Sequence, residues 1–318
     1  MYFDAFNGDA DGICALHQLR LAEPVESRLV TGVKRDIALL KRIAAETGDE
    51  VTALDIAVEK NIAPLQSLLT KGVRVRWFDH HNPGELPVHE RFEPHIDTAA
   101  DVCTSLIVDR HLGGRHRAWA VVAAFGDNLH DAARRAAAPL GLSEDRLAVL
   151  RQLGECLNYN AYGESVEDLY FPPDELYRRL HGYVDPFAFV AEAPEFVTLR
   201  DGYTADMAAV SAIAPLEEKP SGAVIVLPDA AWARRVSGVY ANELASRHPQ
   251  RAHALLTRSP QGHYVVSVRA PLDNRTGADE LCRRFDTGGG RKAAAGINKL
   301  PEDRLPDFIR AFYTIYPV

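Results

Sequence analysis

The chain has little cysteine: among 318 residues only Cys14, Cys103, Cys156 and Cys282, widely separated and without a CxxC pair. A disulfide framework is thereby excluded. Four thiols in mostly apolar neighbourhoods read as buried free cysteines of a protein in a reducing cytoplasm. No apolar run approaches the roughly 20 residues of a bilayer-spanning helix. The start, MYFDAFNGDADG, lacks the basic opening and long apolar stretch of a signal peptide. Neither secretion nor membrane insertion is expected. Positive charge is also in deficit, 36 Lys and Arg against 44 Asp and Glu, for a formal net charge of −8. A protein that coats long duplex nucleic acid neutralises many phosphates with Lys and Arg, so that class is disfavoured. A small phosphorylated ligand remains compatible, because local clusters such as Arg283 with Arg284 and Arg291 with Lys292 can attract phosphate within an acidic whole.

What is present is ordinary globular material, 47% hydrophobic and 25% charged, without repeat, heptad or low-complexity segment. The length suits two domains. Short apolar runs alternate with helical patterns: 2–6 then 13–21, 28–33 then 37–45, 51–56 then 62–69, and 73–78. That rhythm predicts βα units forming a parallel sheet, with helical periodicity from about 104 to 180 as its flank. Residues 200–216 read as a connecting helix. Beyond it, runs at 223–227, 252–257 and 264–268, helices over 232–247 and 304–315, and a Gly-rich turn read as a smaller α/β unit. The expected fold is α/β, with a catalytic parallel-sheet domain over 1–185, a connecting helix and linker over 186–220, and a substrate-binding domain over 221–318.

Ligands of parallel sheets bind beyond the carboxyl ends of the strands. NGDADG follows the first run, Asp55 ends the third, and Asp79-His80-His81 follows the fourth, so the pattern alone places them on one edge. Singly, each has a bland reading: an acidic strand-to-helix turn, a commonplace strand-end Asp, a polar loop. Together they place carboxylates and imidazoles where anions repel unless a cation sits among them, and oxygen ligands with one His suit manganese first and magnesium second.

The ordered motifs NGDADG (7–12), LD (54–55), DHH (79–81), GDN (126–128) and GGGRKAAAG (288–296) resemble those of the DHH phosphoesterases with a DHH-associated C-terminal domain. RecJ-type exonucleases, nanoRNase and pAp phosphatases, and cyclic-dinucleotide phosphodiesterases belong to that family. The resemblance implies that Asp9, Asp55, His80 and Asp127 are metal ligands, that His81 faces the phosphate, and that Asp79 orients His80. Two departures stand out. Asn7 replaces the first Asp of the D-x-D pair, and Phe3 stands where many relatives carry His. One metal position thereby loses two ligands, so a single tightly held metal is expected, with Asn7 offering at most a neutral oxygen.

With one ion, transition-state charge needs another cation, and Lys34 or Arg35, after the second run, are candidates; two solvated charges at a helix start are the bland reading. In the second domain Gly288, Gly289 and Gly290 allow close approach to an anion. The following Arg-Lys-Ala-Ala-Ala is expected to open a helix whose free amides favour phosphate. A tight turn before a packed Ala-rich helix is the alternative. Arg291 stands where relatives have His, and Arg269 matches a strand-end arginine of the family. Asn158, Asn160 and Gly163 resemble a RecJ-type Asn-Ala-Gly segment, but helix capping explains them, and they are left outside the expected site. The expectation is therefore metal-dependent hydrolysis of a short oligonucleotide, mononucleotide or other small phosphorylated substrate. A catalytically impaired nucleotide or phosphometabolite sensor and a phosphatase for non-nucleotide substrates are the alternatives.

Overall fold

A computed structural model describes residues 1–317, which fall into two compact units, divided between Asp201 and Gly202. The first unit is built on a wholly parallel sheet of β1 (Tyr2–Phe6), β2 (Ser27–Val30), β3 (Glu50–Leu54), β4 (Arg74–Asp79) and β5 (Phe92–Ile96), in the order β2-β1-β3-β4-β5. Alternate residues Phe3, Ala5, Val51, Ala53, Val75 and Trp77 share one face and one core cluster, and Phe6, Leu54 and Phe78 are buried on the other face, so the sheet is covered on both sides. The order reverses at β1 and β3, and such a switch point opens a crevice at the carboxyl ends of the two strands.

Helices α1 (Ala10–Ala22) and α2 (Ile62–Thr70) belong to the βα units; α3 (Thr104–His111), α4 (Arg117–Gly126), α5 (His130–Ala137) and α6 (Glu144–Tyr159) form the flank. In α4 every residue from Trp119 to Gly126 is buried, which marks it as the centre of this helical layer. Gly126 permits the crossing that closes it, since a Cβ there would lie 2.5 Å from Ala10 Cβ and 2.9 Å from Gly154 O. The next residue, Asp127, is thereby held beside the start of α1.

Two segments depart from the sequence pattern. The periodicity over 37–45 predicts a helix, but the segment forms only a one-turn 3-10 helix, Leu39–Arg42. The buried Asn61 side chain accepts from Leu40 N at 3.1 Å and donates to Ile37 O and Ala57 O, holding backbone groups that a longer helix would use itself. Strand β5, FEPHI, is not apparent from the sequence, because its Pro94 is tolerated only at a sheet edge, where it lies.

The second unit carries a mixed sheet, in the order β10-β11-β9-β8-β7-β6. Its strands are β6 (Glu217–Lys219), β7 (Gly222–Leu227), β8 (Ala252–Ser259), β9 (His263–Arg269), β10 (Gly288–Gly290) and β11 (Ala294–Pro301). Helices Ala231–Arg247 and Leu305–Ile315 accompany it. GGGRKAAAG is not a loop leading into a helix: β10 and β11 form an antiparallel hairpin, with Arg291 and Ala294 exchanging both backbone bonds at its turn. The Ala-rich run pairs with β9 through Ala294–Arg269 and Ala295–Val268, so tertiary pairing overrides helix propensity there and removes the expected helix N-terminus. The division between units falls inside helix Pro194–Ser211. Among the described residues no helix is long and apolar enough to cross a membrane.

Candidate metal centre

The turn after β1 is shaped by its own side chains. Asp9 caps α1, its Oδ1 accepting from Asp11 N and Gly12 N, each at 3.0 Å. Gly12 is required because a Cβ would approach Asn7 O to 2.2 Å. Asn7 Oδ1 accepts from Asp9 N at 3.3 Å, and its Nδ2 donates to Lys34 O at 3.4 Å. Asp11 is the anchor to α3: its two oxygens accept from Thr104 N and Ser105 N, both at 2.7 Å.

Asp55, one residue beyond β3, has φ 58°, and Asn128, beside Asp127, has φ 61°; these are the two non-glycine residues with left-handed backbone among those described. Such positions cost energy for residues with a side chain and concentrate where geometry serves a site. Here both flank the carboxyl-end crevice. His80 Nε2 lies 3.4 Å from Asp55 Oδ1 and 3.9 Å from Asp127 Oδ2. Its Nδ1 donates to Val102 O at 2.8 Å, which turns Nε2 towards the carboxyl groups. Asp79 does not orient His80, contrary to expectation; its Oδ1 accepts from His81 Nδ1 at 2.7 Å. Two sets of three ligand atoms lie within 4.8 Å of one another: Asp55, His80 and His81, and Asp11, His80 and Asp127.

The electrostatics are those of an anion excess. Asp9, Asp11, Asp55 and Asp79 are at most 2% exposed. Burial, then repulsion from Asp9, Asp11, Asp127 and Asp79, holds the Asp55 carboxyl well above its usual range. Burial and the neighbouring Asp127 push Asp11 up as well. Asp79 Oδ2 is buried without a hydrogen-bond partner. For His81, burial lowers the imidazole, but the bond to Asp79 and its charge outweigh this and raise it. Imidazole nitrogens among several buried carboxylate oxygens, one of them orphaned, fit a divalent cation such as Mn²⁺ or Mg²⁺, which Asp55 with His80 and His81, or Asp11 with His80 and Asp127, could hold.

Asp9 stands apart from that group because its second oxygen, Oδ2, accepts from Lys34 Nζ at 2.5 Å. Lys34 also reaches Asn158 Oδ1 at 3.0 Å and Asp127 Oδ1 at 3.4 Å. Burial lowers the Lys34 ammonium, yet Asp9, Tyr162 and Asp127 together raise it well above the ordinary lysine range; the same lysine holds Asp9 below its own despite burial. Lys34 is thus not a solvated charge at a helix start. Arg35, its neighbour, is exposed. Asn158, left out of the site on sequence grounds, is a lysine ligand; LNYNAYG held the signal. Its companion Asn160 is structural, accepting from Tyr170 N and Phe171 N and donating to Phe171 O.

In the second unit Arg269, at the end of β9, donates through Nε to Asn242 Oδ1 at 2.7 Å. Arg291 is exposed at the hairpin turn. Gly288 is enforced by packing, since a Cβ would sit 1.7 Å from Cys282 O, whereas Gly289 has open space around it.

The fold is α/β, a parallel-sheet unit followed by a mixed-sheet unit, an architecture like that of DHH proteins. No family model and no curated protein matches the sequence. Solved structures of DHH-family proteins match over the full length. The chain is similar to exonuclease RecJ bound to manganese, with a TM-score of 0.65 and 19% identity over 100% of this chain and 90% of that one. It is similar to RecJ in complex with Mn²⁺ from Thermus thermophilus, with a TM-score of 0.64 and 20% identity over 98% of this chain and 51% of that one, so it spans about half of that protein. It is also similar to the pGpG-specific phosphodiesterase PggH from Vibrio cholerae, with a TM-score of 0.56 and 14% identity over 99% of both chains. At these identities the likeness is one of fold.

Proposed function

We propose that the chain is a divalent-metal-dependent phosphoesterase that hydrolyses a phosphodiester or phosphomonoester bond of a short oligonucleotide or small nucleotide. The observation that carries this reading is the approach of His80 Nε2 to Asp55 and Asp127 at the carboxyl edge of the sheet, among buried carboxyl groups that lack enough positive charge. A bound divalent cation would acidify water and offset phosphate charge. The protein's own residues do the rest. Asp55, His80 and Asp127 are the proposed ligands, with Asp9 as a fourth when released by Lys34. His81 keeps its Nδ1 on Asp79, leaving Nε2 to present a proton to a phosphate or leaving-group oxygen. Arg269, Arg291 and Gly288–Gly290 are the proposed substrate-binding residues of the second unit, and the PggH likeness in fold favours a linear dinucleotide over a long strand.

A second reading is favoured by one observation, the Lys34 contact with Asp9: a nucleotide-binding protein without turnover. Incubating Mn²⁺-supplemented protein with pGpG, pAp, cyclic dinucleotides and single-stranded DNA separates the two. Release of mononucleotide or phosphate that disappears in His80→Ala is expected. Binding of a nucleotide with no product, unchanged by His80→Ala, would establish the second reading instead.

A further inference from the structure

Lys34 is held in place before any ligand arrives. Its backbone N donates to Ala161 O at 2.9 Å and its carbonyl accepts from Asn7 Nδ2, so both ends of its peptide unit are tied to the site. The ammonium has three protons, and three oxygens surround it: Asp9 Oδ2, Asn158 Oδ1 and Asp127 Oδ1. Tyr162 presents its ring 5.6 Å away. Asp9 is largely engaged by this arrangement, with two backbone N–H groups on Oδ1 and the lysine on Oδ2. Nothing comparable serves Asp55, whose Oδ1 has Thr104 Oγ1 at 3.2 Å, or Asp79, whose Oδ2 has no partner. The positive charge of the cluster is therefore distributed unevenly: one half carries a lysine on its carboxylates, whereas the other has only the imidazoles of His80 and His81.

We propose that Lys34 is a resident cation of this centre, engaging Asp9 Oδ2 and Asp127 Oδ1, so that a divalent ion drawn to these carboxylates would have to displace it or share them with it. The role differs from that of a substrate contact, because the lysine faces carboxylates and its protons are all engaged. It rests on the reading of the cluster as a metal centre but not on turnover. Its consequence is a chain that keeps its acidic crevice folded without metal and takes up a single divalent ion, at an affinity limited by repulsion from the ammonium. Asn158 is then a positioning residue for Lys34.

The test is Mn²⁺ binding to the full chain, by calorimetry and by the electron paramagnetic resonance signal of free Mn²⁺, for wild type, Lys34→Met and Lys34→Gln. Removing one positive charge a few ångströms from the ion is expected to tighten Mn²⁺ binding about tenfold or more. The melting temperature of the metal-free variant is expected to fall, and Mn²⁺ to raise it by more than it raises that of wild type. If Lys34→Met does not fold, refolding by Mn²⁺ supports the proposal. Folded variants that bind Mn²⁺ no more tightly than wild type overturn it, as does a Met variant that Mn²⁺ cannot refold beside a Gln variant of unchanged affinity. Tighter binding with no hydrolysis by any form sinks the phosphoesterase reading alone; hydrolysis by wild type with unaltered affinity in the variants sinks this one alone.

Discussion

Buried carboxylates lie within the parallel sheet and at its carboxyl edge, and the two places treat them in opposite ways. In the middle of β1, Asp4 is fully buried and fully compensated. Its oxygens take Arg20 Nη2 at 2.5 Å, Arg20 Nε at 2.9 Å and Ser27 Oγ at 2.6 Å, while Arg20 also donates to Thr52. One anion meets one forked cation and the lone pairs are used. At the carboxyl end, Asp9, Asp11, Asp55, Asp79 and Asp127 share one lysine and two histidines, Asp55 is driven up by its neighbours, and an Asp79 oxygen is left over. Burial of charge is common to both, so burial is not what marks a site. The imbalance of anions over cations is.

Breaking the compensated pair has the largest expected effect. Arg20→Ala leaves Asp4 buried and unpaired, which costs about 3–5 kcal/mol in a urea-unfolding experiment, and Mn²⁺ restores none of it. A loss below about 1 kcal/mol would place this pair with surface ion pairs and remove the contrast. A smaller effect sharpens the comparison through a third buried group midway along α1. His17 Nε2 contacts Tyr183 O at 3.0 Å and its Nδ1 contacts His181 Nδ1 at 3.1 Å, with the edge of Trp119 alongside. Burial, then His181, brings its pKa down to about 3. It is neutral when folded and protonates in the unfolded chain below about 6.5. Its contribution to stability is complete above that pH and is lost as pH falls towards about 3, at up to about 1.4 kcal/mol per pH unit. His17→Phe should flatten the stability profile between about pH 6 and about pH 4 by up to about this slope; an identical profile would show that His17 is not the responsible group.

Much of this is legible from residues alone because it follows from local rules. Strand–helix alternation locates β1, α1, β3, α2 and β4 to within a few residues, and a parallel sheet with ligand groups at its carboxyl edge follows from that alternation. What escapes depends on partners distant in sequence. Asn61 dissolves a helical pattern at 37–45 through hydrogen bonds that no periodicity reveals. The pairing of β11 with β9 turns an Ala-rich run into a strand. Within the site, the residue types of NGDADG, DHH and GDN are informative, but their pairings are not: Asp79 with His81 and Lys34 with Asp9 and Asn158 are tertiary contacts. Such contacts decide how many cations the cluster needs.

The smallest expected stability change bears most directly on the uncompensated end. Asp55→Asn removes the carboxyl that its neighbours most strongly oppose, keeps the side-chain shape, and places Asn in a left-handed backbone position that it tolerates. Without metal the variant should be more stable than wild type by about 0.5–2 kcal/mol, the gain typical of relieving a site strained for function. With Mn²⁺ the order should invert, because wild type gains binding free energy that the variant lacks. Thermal unfolding of both proteins with and without Mn²⁺ measures the crossing directly. If Asp55→Asn is instead less stable in the absence of metal, Asp55 is compensated by its surroundings as Asp4 is, and the carboxyl end would then be a second structural cluster with no need of an ion.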